Sequence, residues 1–166
     1  MKRTLNLSLK PFSINSMYYR NRSMKTSAAL DWSHTVLHHL GFEENAVILE
    51  ELRDHFDPEQ HMYAIDLEFY YPKELLITKK RTLSSKAHDL SNIEKPLIDL
   101  IFLPTYFNKP SPYGAKNLNI DDKFISDLSS KKRPSDEHRI IVNITINDLN
   151  QILPSLQSET EQDDTI

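Results

Sequence analysis

The chain has 166 residues, of which 39% are hydrophobic and 27% charged, enough apolar material for one compact core and not clearly for two. It has no cysteine, which excludes disulfides and a zinc–thiolate site. No apolar run approaches the roughly 20 residues that cross a bilayer and the N-terminus lacks the apolar core of a secretion signal, so a cytoplasmic chain without membrane contact is expected.

The net charge of −4 is unevenly spread. Beyond Pro154 the only charges are Glu159, Glu161, Asp163 and Asp164, and without them the body is neutral. The first thirty residues carry Lys2, Arg3, Lys10, Arg20, Arg22 and Lys25 with no acid. A second basic cluster holds Lys73, Lys79, Lys80, Arg81 and Lys86 against Glu74 alone, and Lys131, Lys132 and Arg133 form a third. Such clusters either track a phosphate backbone or are solvated surface.

In chain order, residues 3–9 alternate Leu5, Leu7 and Leu9 with polar neighbours, the period of a half-buried strand ended by Pro11. A polar, aromatic loop follows, with Asn15, Tyr18, Tyr19, Arg20 and Lys25. Thr26 or Ser27 caps a predicted helix with Ala29, Trp32, Val36, Leu37 and Leu40 at helical spacing and Gly41 at its C-terminus. A shorter helical pattern covers 43–56. Tyr63, Ile65, Leu67, Phe69 and Tyr71 then alternate strictly, the clearest strand in the chain. After a long basic connection over 72–88, "HDLSNIEKPLIDL" starts a helix whose Leu97, Leu100 and Ile101 form a buried face. A Pro-rich stretch over 104–119 reads as an exposed loop, with Tyr106, Phe107 and Tyr113 as candidates to stack on unpaired bases or on the protein's own surface. A strand beginning at Asp121 and Asp122 and a stronger one over "HRIIVNITI" complete the pattern. The expected organisation is a domain over 1–150 of α+β class, a mixed β-sheet with packed helices in the order β-α-(α)-β-α-β-β, and an acidic, disordered tail over 151–166.

Hydrolysis of a phosphodiester needs positive charge near oxygens that grow more negative toward the transition state. Magnesium supplies it and takes hard oxygen ligands, commonly one or two carboxylates with water and phosphate. Asp89 before a helix and Asp121 or Asp122 before a strand lie at element ends, where side chains converge. Lys95 is a candidate point charge for the scissile phosphate. Acids at such positions are also commonplace, and Asp89 stabilises a helix N-terminus with no metal involved. His34 and His38, at i and i+4, have no third ligand in view and read as surface or partly buried residues; His88 is a better candidate for a phosphate contact.

The run "DLSNIEKPLIDL", a loop and "IDD", with "INSMYYR" near the N-terminus, resembles the RusA family of Holliday-junction resolvases over roughly residues 4–147. Asp89, Asn92, Lys95 and Asp99 match one motif, Asp121 and Asp122 a downstream pair, and Asn15 and Tyr18 an early element. The resemblance implies a RusA-like fold and a homodimer acting on four-way or otherwise branched DNA in recombination and repair, as in phage or mobile elements. It implies an Mg2+-dependent (or Mn2+-dependent) crossover junction endodeoxyribonuclease, with Asp89, Lys95 and Asp122 catalytic and Asp89, Asp122 and Asp121 holding the metal. DNA contacts fall to Asn15, Tyr18, Arg20, Lys25, Asn92, Lys79, Lys80, Arg81 and Lys86. Phe69 and Tyr71, ending the main strand, are expected to line a dimer interface or wedge into a junction.

Ser91 departs from the pattern, standing where the family has a second metal-binding Asp. A neutral hydroxyl weakens a magnesium site unless Asp121, Asp99 or Glu94 compensates. Ser91 with Glu94 also spells a helix capping box. Three readings therefore stand: an active nuclease, a catalytically weakened junction-binding relative, and an interaction module unconnected with nucleic acid.

Overall fold

The computed structural model describes residues 1–20, 24–103 and 116–151. Strand β1 (Lys2–Leu7) leads through a 3-10 turn at Ile14–Ser16 to α1 (Ser27–Leu40) and α2 (Glu43–His55). Next come β2 (His61–Pro72), the one-turn α3 (Lys73–Leu76), α4 (Leu90–Phe102), a 3-10 turn at Asp122–Phe124, β3 (Ile125–Ser135) and β4 (Arg139–Asp148). The α+β class and the mixed sheet are those expected. Arg22, Tyr106, Phe107, Tyr113 and the acidic tail beyond Gln151 lie outside the described residues.

The sheet order is β1-β4-β2-β3. β4 is antiparallel to both β1 and β2, and β2 is parallel to β3. A parallel neighbour needs a crossover, which α4 supplies. β3 and β4 thus follow one another in sequence yet flank β2. Because β2 is central, its alternation is complete: Tyr63, Ile65, Leu67, Phe69 and Tyr71 are buried and the residues between them are half-buried.

Leu5, Leu7, Trp32, Val36, Leu49, Leu52, Leu97 and Ile101 join these strand residues in one hydrophobic cluster. Burial of such side chains contributes roughly 1.5–3 kcal/mol each and dominates the stability. Thr26 caps α1 by accepting from the Ala29 N–H at 3.1 Å, and Gly41 closes it. The Trp32 indole donates to the Lys10 carbonyl at 2.9 Å, holding the end of the first strand segment against α1. Buried Asn45 donates to the carbonyls of Asn6 (3.1 Å) and His39 (2.9 Å), stitching α2 to β1 and α1. Phe69 and Tyr71 are 0% and 2% exposed, which corrects their expected place at an interface or wedge: both point into the core.

The other sheet face carries polar side chains. Asp66 accepts from Ser129 at 2.7 Å, from Lys131 at 3.1 Å and from Asn143 at 3.3 Å. Lys131 also pairs with Glu68 at 3.1 Å. Burial works to raise the Asp66 carboxyl, and these hydrogen bonds outweigh it and hold the group below its ordinary value. Glu68 is lowered too, chiefly by the hydrogen bond from the Tyr70 hydroxyl.

Candidate functional site

Helix α4 positions most of the residues singled out in the sequence. Asp89 is its N-cap, with extended backbone angles (φ −64°, ψ 141°), and its side chain makes no capping bond. The Asn92 N–H instead reaches the Asp89 carbonyl at 3.0 Å. Ser91 therefore sits inside the first turn, and the expected Ser91–Glu94 capping box does not form: the Glu94 carboxylate accepts from the Ser130 hydroxyl on β3. Asp89 and Ser91 both suit an N-cap, and spacing alone does not choose between them. One turn on from Ser91, the Lys95 ammonium pairs with Asp99 at 3.1 Å.

Between α4 and edge strand β3 lies a cavity of about 380 Å³, lined by Glu94, Lys95, Ile98, Asp99, Asp122, Ile125 and Leu128. The structure thus brings Lys95 and Asp122 together and adds Asp99 and Glu94, the acids proposed to compensate for Ser91. Ile98, Ile125 and Leu128, the apolar part of the wall, carried no sequence signal. The turn at Ile14–Ser16 packs on α4. It brings Lys25 within the field of Asp99: burial lowers the Lys25 pKa and the Asp99 charge opposes that shift. The cavity accordingly has carboxylates from α4 and from the turn before β3, with the Lys95 ammonium among them.

Two expected ligands stand apart. Asp89 is exposed at the start of α4 and is not on the cavity wall. Asp121 caps its own 3-10 turn, accepting from the Lys123 N–H at 3.0 Å, a bond that lowers its pKa. Among the described residues no group of three or more His, Asp or Glu side chains is placed to hold a metal ion. The donor set of the cavity is nonetheless hard oxygen on two walls. It fits, in kind, a magnesium ion held by one or two carboxylates that completes its shell with water and substrate phosphate, and does not fit a closed carboxylate cage.

The basic residues divide. Lys79, Lys80 and Arg81 project from a tight hairpin turn in which the Arg81 N–H meets the Thr78 carbonyl at 2.9 Å and the Thr78 N–H meets Thr82 at 2.8 Å. Ile77 and Leu83 pair at its base. Arg81 has φ 60°, the left-handed region, and with Lys79, Lys80 and Lys86 it is exposed. These four side chains make no hydrogen bond or ion pair among the described residues. Tyr18 and Tyr19 are 46% exposed on the N-terminal loop, where Tyr18 bridges to Lys25 and the exposed Arg20 adjoins them. Asn15 belongs to the turn packed on α4, and Asn92 is half-buried in the helix's first turn. The third basic cluster is largely committed: Lys131 serves Asp66 and Glu68, and Lys132 donates to the His88 carbonyl at 2.9 Å. His34 and His38 are exposed on α1, and the His38 and His39 rings pack edge-on against Phe42.

No protein-family model matches the chain, and no curated protein matches it either. Among the described residues no helix is long and apolar enough to cross a membrane.

Proposed function

We propose that the chain is a RusA-like, structure-specific endodeoxyribonuclease that cleaves four-way or otherwise branched DNA with the help of magnesium or manganese. The observation that carries this reading is the cavity between α4 and β3, where Lys95 shares one wall with Asp99 and Glu94 and faces Asp122. Asp122 and Asp99 are the carboxylates that would hold the metal, with Glu94 beside them on the cavity wall, whereas Asp89 and Asp121 stand off it. When bound, the ion offsets the negative charge that grows on the phosphate oxygens. Lys95 supplies a second positive charge beside the same phosphate, and its pairing with Asp99 fixes where that charge sits. Asn92 orients the mouth of the site.

The exposed cations of the 77–83 hairpin, with Lys86, bind phosphates outside the cavity, and Asn15, Tyr18, Arg20 and Lys25 bind the strand that enters it. Paired cuts in a junction need two such sites related by a two-fold axis, hence a homodimer. The test is a labelled four-way junction beside a matched linear duplex, each incubated with the chain and magnesium or manganese. Symmetric cuts in the junction, absent with Asp122→Asn, are the expected result; no cuts, or equal cutting of the duplex, overturns the reading.

A second reading, junction binding without cleavage, is favoured by one observation. Ser91 leaves a neutral hydroxyl one turn from Lys95, and among the described residues no three acids or histidines are placed together to hold a metal ion. It predicts tight junction binding with no cuts until Ser91→Asp restores a carboxylate.

A further inference from the structure

On the other side of the Asp122–Phe124 turn lies a second pocket, of about 370 Å³, to which none of the readings above gives a role. Its walls include Phe56, Tyr63, Phe124, Leu118 and Ile120, with Arg53 and Asn119 at the polar edge. Phe56 stacks on Tyr63 at a ring separation of 4.3 Å and 13°, and Phe124 stands edge-on to Phe56 at 5.6 Å and 83°. Tyr63 is fully buried and backs the pocket, whereas Phe56 and Phe124 are half-exposed.

The polar edge is held rigidly. Arg53 donates to the carbonyls of Lys116 (3.1 Å) and Asn117 (3.2 Å). Buried Asn117 donates to Leu103 at 2.7 Å and Leu100 at 3.3 Å, and its Oδ1 accepts the Asn119 N–H at 3.0 Å. This frame holds Asn119 at φ 52°, a left-handed conformation that asparagine tolerates better than most residues with a Cβ. The Asn119 side chain is exposed there and has no hydrogen-bond partner among the described residues.

We propose that this pocket is a slot for one unstacked nucleobase. The proposal rests on the nucleic-acid reading of the neighbouring cavity. Aromatic rings offer a face to any planar heterocycle. A carboxamide offers a donor and an acceptor side by side, the pattern that pairs with a base edge. Continuity supplies the third element: Asp121 lines the slot and the next residue, Asp122, lines the phosphodiester cavity. A nucleotide with its phosphate at Lys95 has its own or a neighbouring base on the far side of that one turn. The slot selects DNA that presents an unpaired base, as a branch point does, over continuous duplex.

The test uses a single-stranded octanucleotide carrying one 2-aminopurine, whose fluorescence is quenched on stacking, titrated with the full chain in EDTA so that cleavage plays no part. Quenching is expected with the wild type, with affinity lowered about fivefold or more in Phe124→Ala and in Asn119→Gly. Glycine keeps the backbone angle of Asn119 and removes only its amide, so a folding defect does not mimic the effect. Absence of quenching with the wild type, or wild-type affinity in either Asn119→Gly or Phe124→Ala, overturns the slot. The two proposals fail separately. A chain that quenches without cutting any junction retains the slot and loses the nuclease; one that cuts junctions without quenching loses the slot alone.

Discussion

Arg81→Gly separates the stability of the basic hairpin from its proposed work. Arg81 holds φ 60° because the turn demands it: the Arg81 N–H must meet Thr78 while the Thr78 N–H meets Thr82, with the Thr78 and Thr82 hydroxyls 2.7 Å apart. For a residue with a Cβ that conformation costs roughly 1–2 kcal/mol, whereas glycine visits it freely but loses about 0.5–1 kcal/mol more backbone entropy on folding. The difference leaves Arg81→Gly neutral to about 1.5 kcal/mol more stable. The Arg81 side chain makes no ion pair among the described residues, so no internal contact is lost. If the guanidinium contacts a phosphate, its loss removes one released counterion. The slope of log affinity against log salt then falls by about 0.9, and affinity drops about threefold less over a fourfold rise in salt. Urea melts give the first quantity, and fluorescence anisotropy of a four-way junction across a salt series in EDTA gives the second. A variant destabilised by more than about 1 kcal/mol refutes the backbone argument. An unchanged salt slope refutes the phosphate contact.

Lys95→Ala removes an exposed i, i+4 pair and should change stability by only about 0.2–0.5 kcal/mol in thermal melts. Junction cleavage should fall by on the order of a hundredfold, and a variant that cuts like the wild type removes Lys95 from the site. Phe69→Ala, deep in the core, should cost about 3–5 kcal/mol in urea melts. A Phe69→Ala protein of wild-type stability with a selective loss of junction binding would restore its place at a wedge. The depressed Asp66 and Glu68 carboxyls contribute stability that is present above their unfolded values, near 3.8 and 4.5, and lost as pH falls through their lower folded values. Lys131→Met removes a hydrogen bond and a charge from both and should move the acid midpoint of unfolding, followed by circular dichroism, to higher pH; an unmoved midpoint contradicts that coupling.

What was legible in the sequence followed from periodicity and capping chemistry. The alternation from Tyr63 to Tyr71 marks a central strand because both of its edges are paired and one face is buried. Thr26 caps α1 through its hydroxyl as its chemistry allows, whereas Gly41 ends the helix in right-handed backbone (φ −81°) that does not require glycine. β3 was harder to see. As an edge strand it places Leu128, Ser130 and Lys132 toward α4 and Ser129 and Lys131 on the polar face, so neither face is uniformly apolar, and it accommodates Pro134. The hairpin around Lys79 to Arg81 is invisible to hydrophobic pattern because exposed turn chemistry makes it, with an arginine where a glycine would have announced it. Lys95 and Asp122 were found as a pair of residue types at element ends, but Asp99, Glu94 and the aromatic pocket beside Asp121 depend on how α4 lies along β3, and sequence spacing does not encode that packing. Lys131 illustrates the opposite error: a run of like charges in sequence is split by strand alternation, and one member is consumed by Asp66 and Glu68.

The most direct measurement is single-turnover cleavage of a labelled four-way junction in magnesium by three proteins, the wild type, Asp122→Asn and Ser91→Asp, with binding followed in parallel. Symmetric junction cuts by the wild type, lost in Asp122→Asn with binding kept, and at least retained in Ser91→Asp, are the predicted result. Equal cutting by wild type and Asp122→Asn, or no junction binding by any of the three, contradicts the account of the α4–β3 cavity as a phosphodiester site.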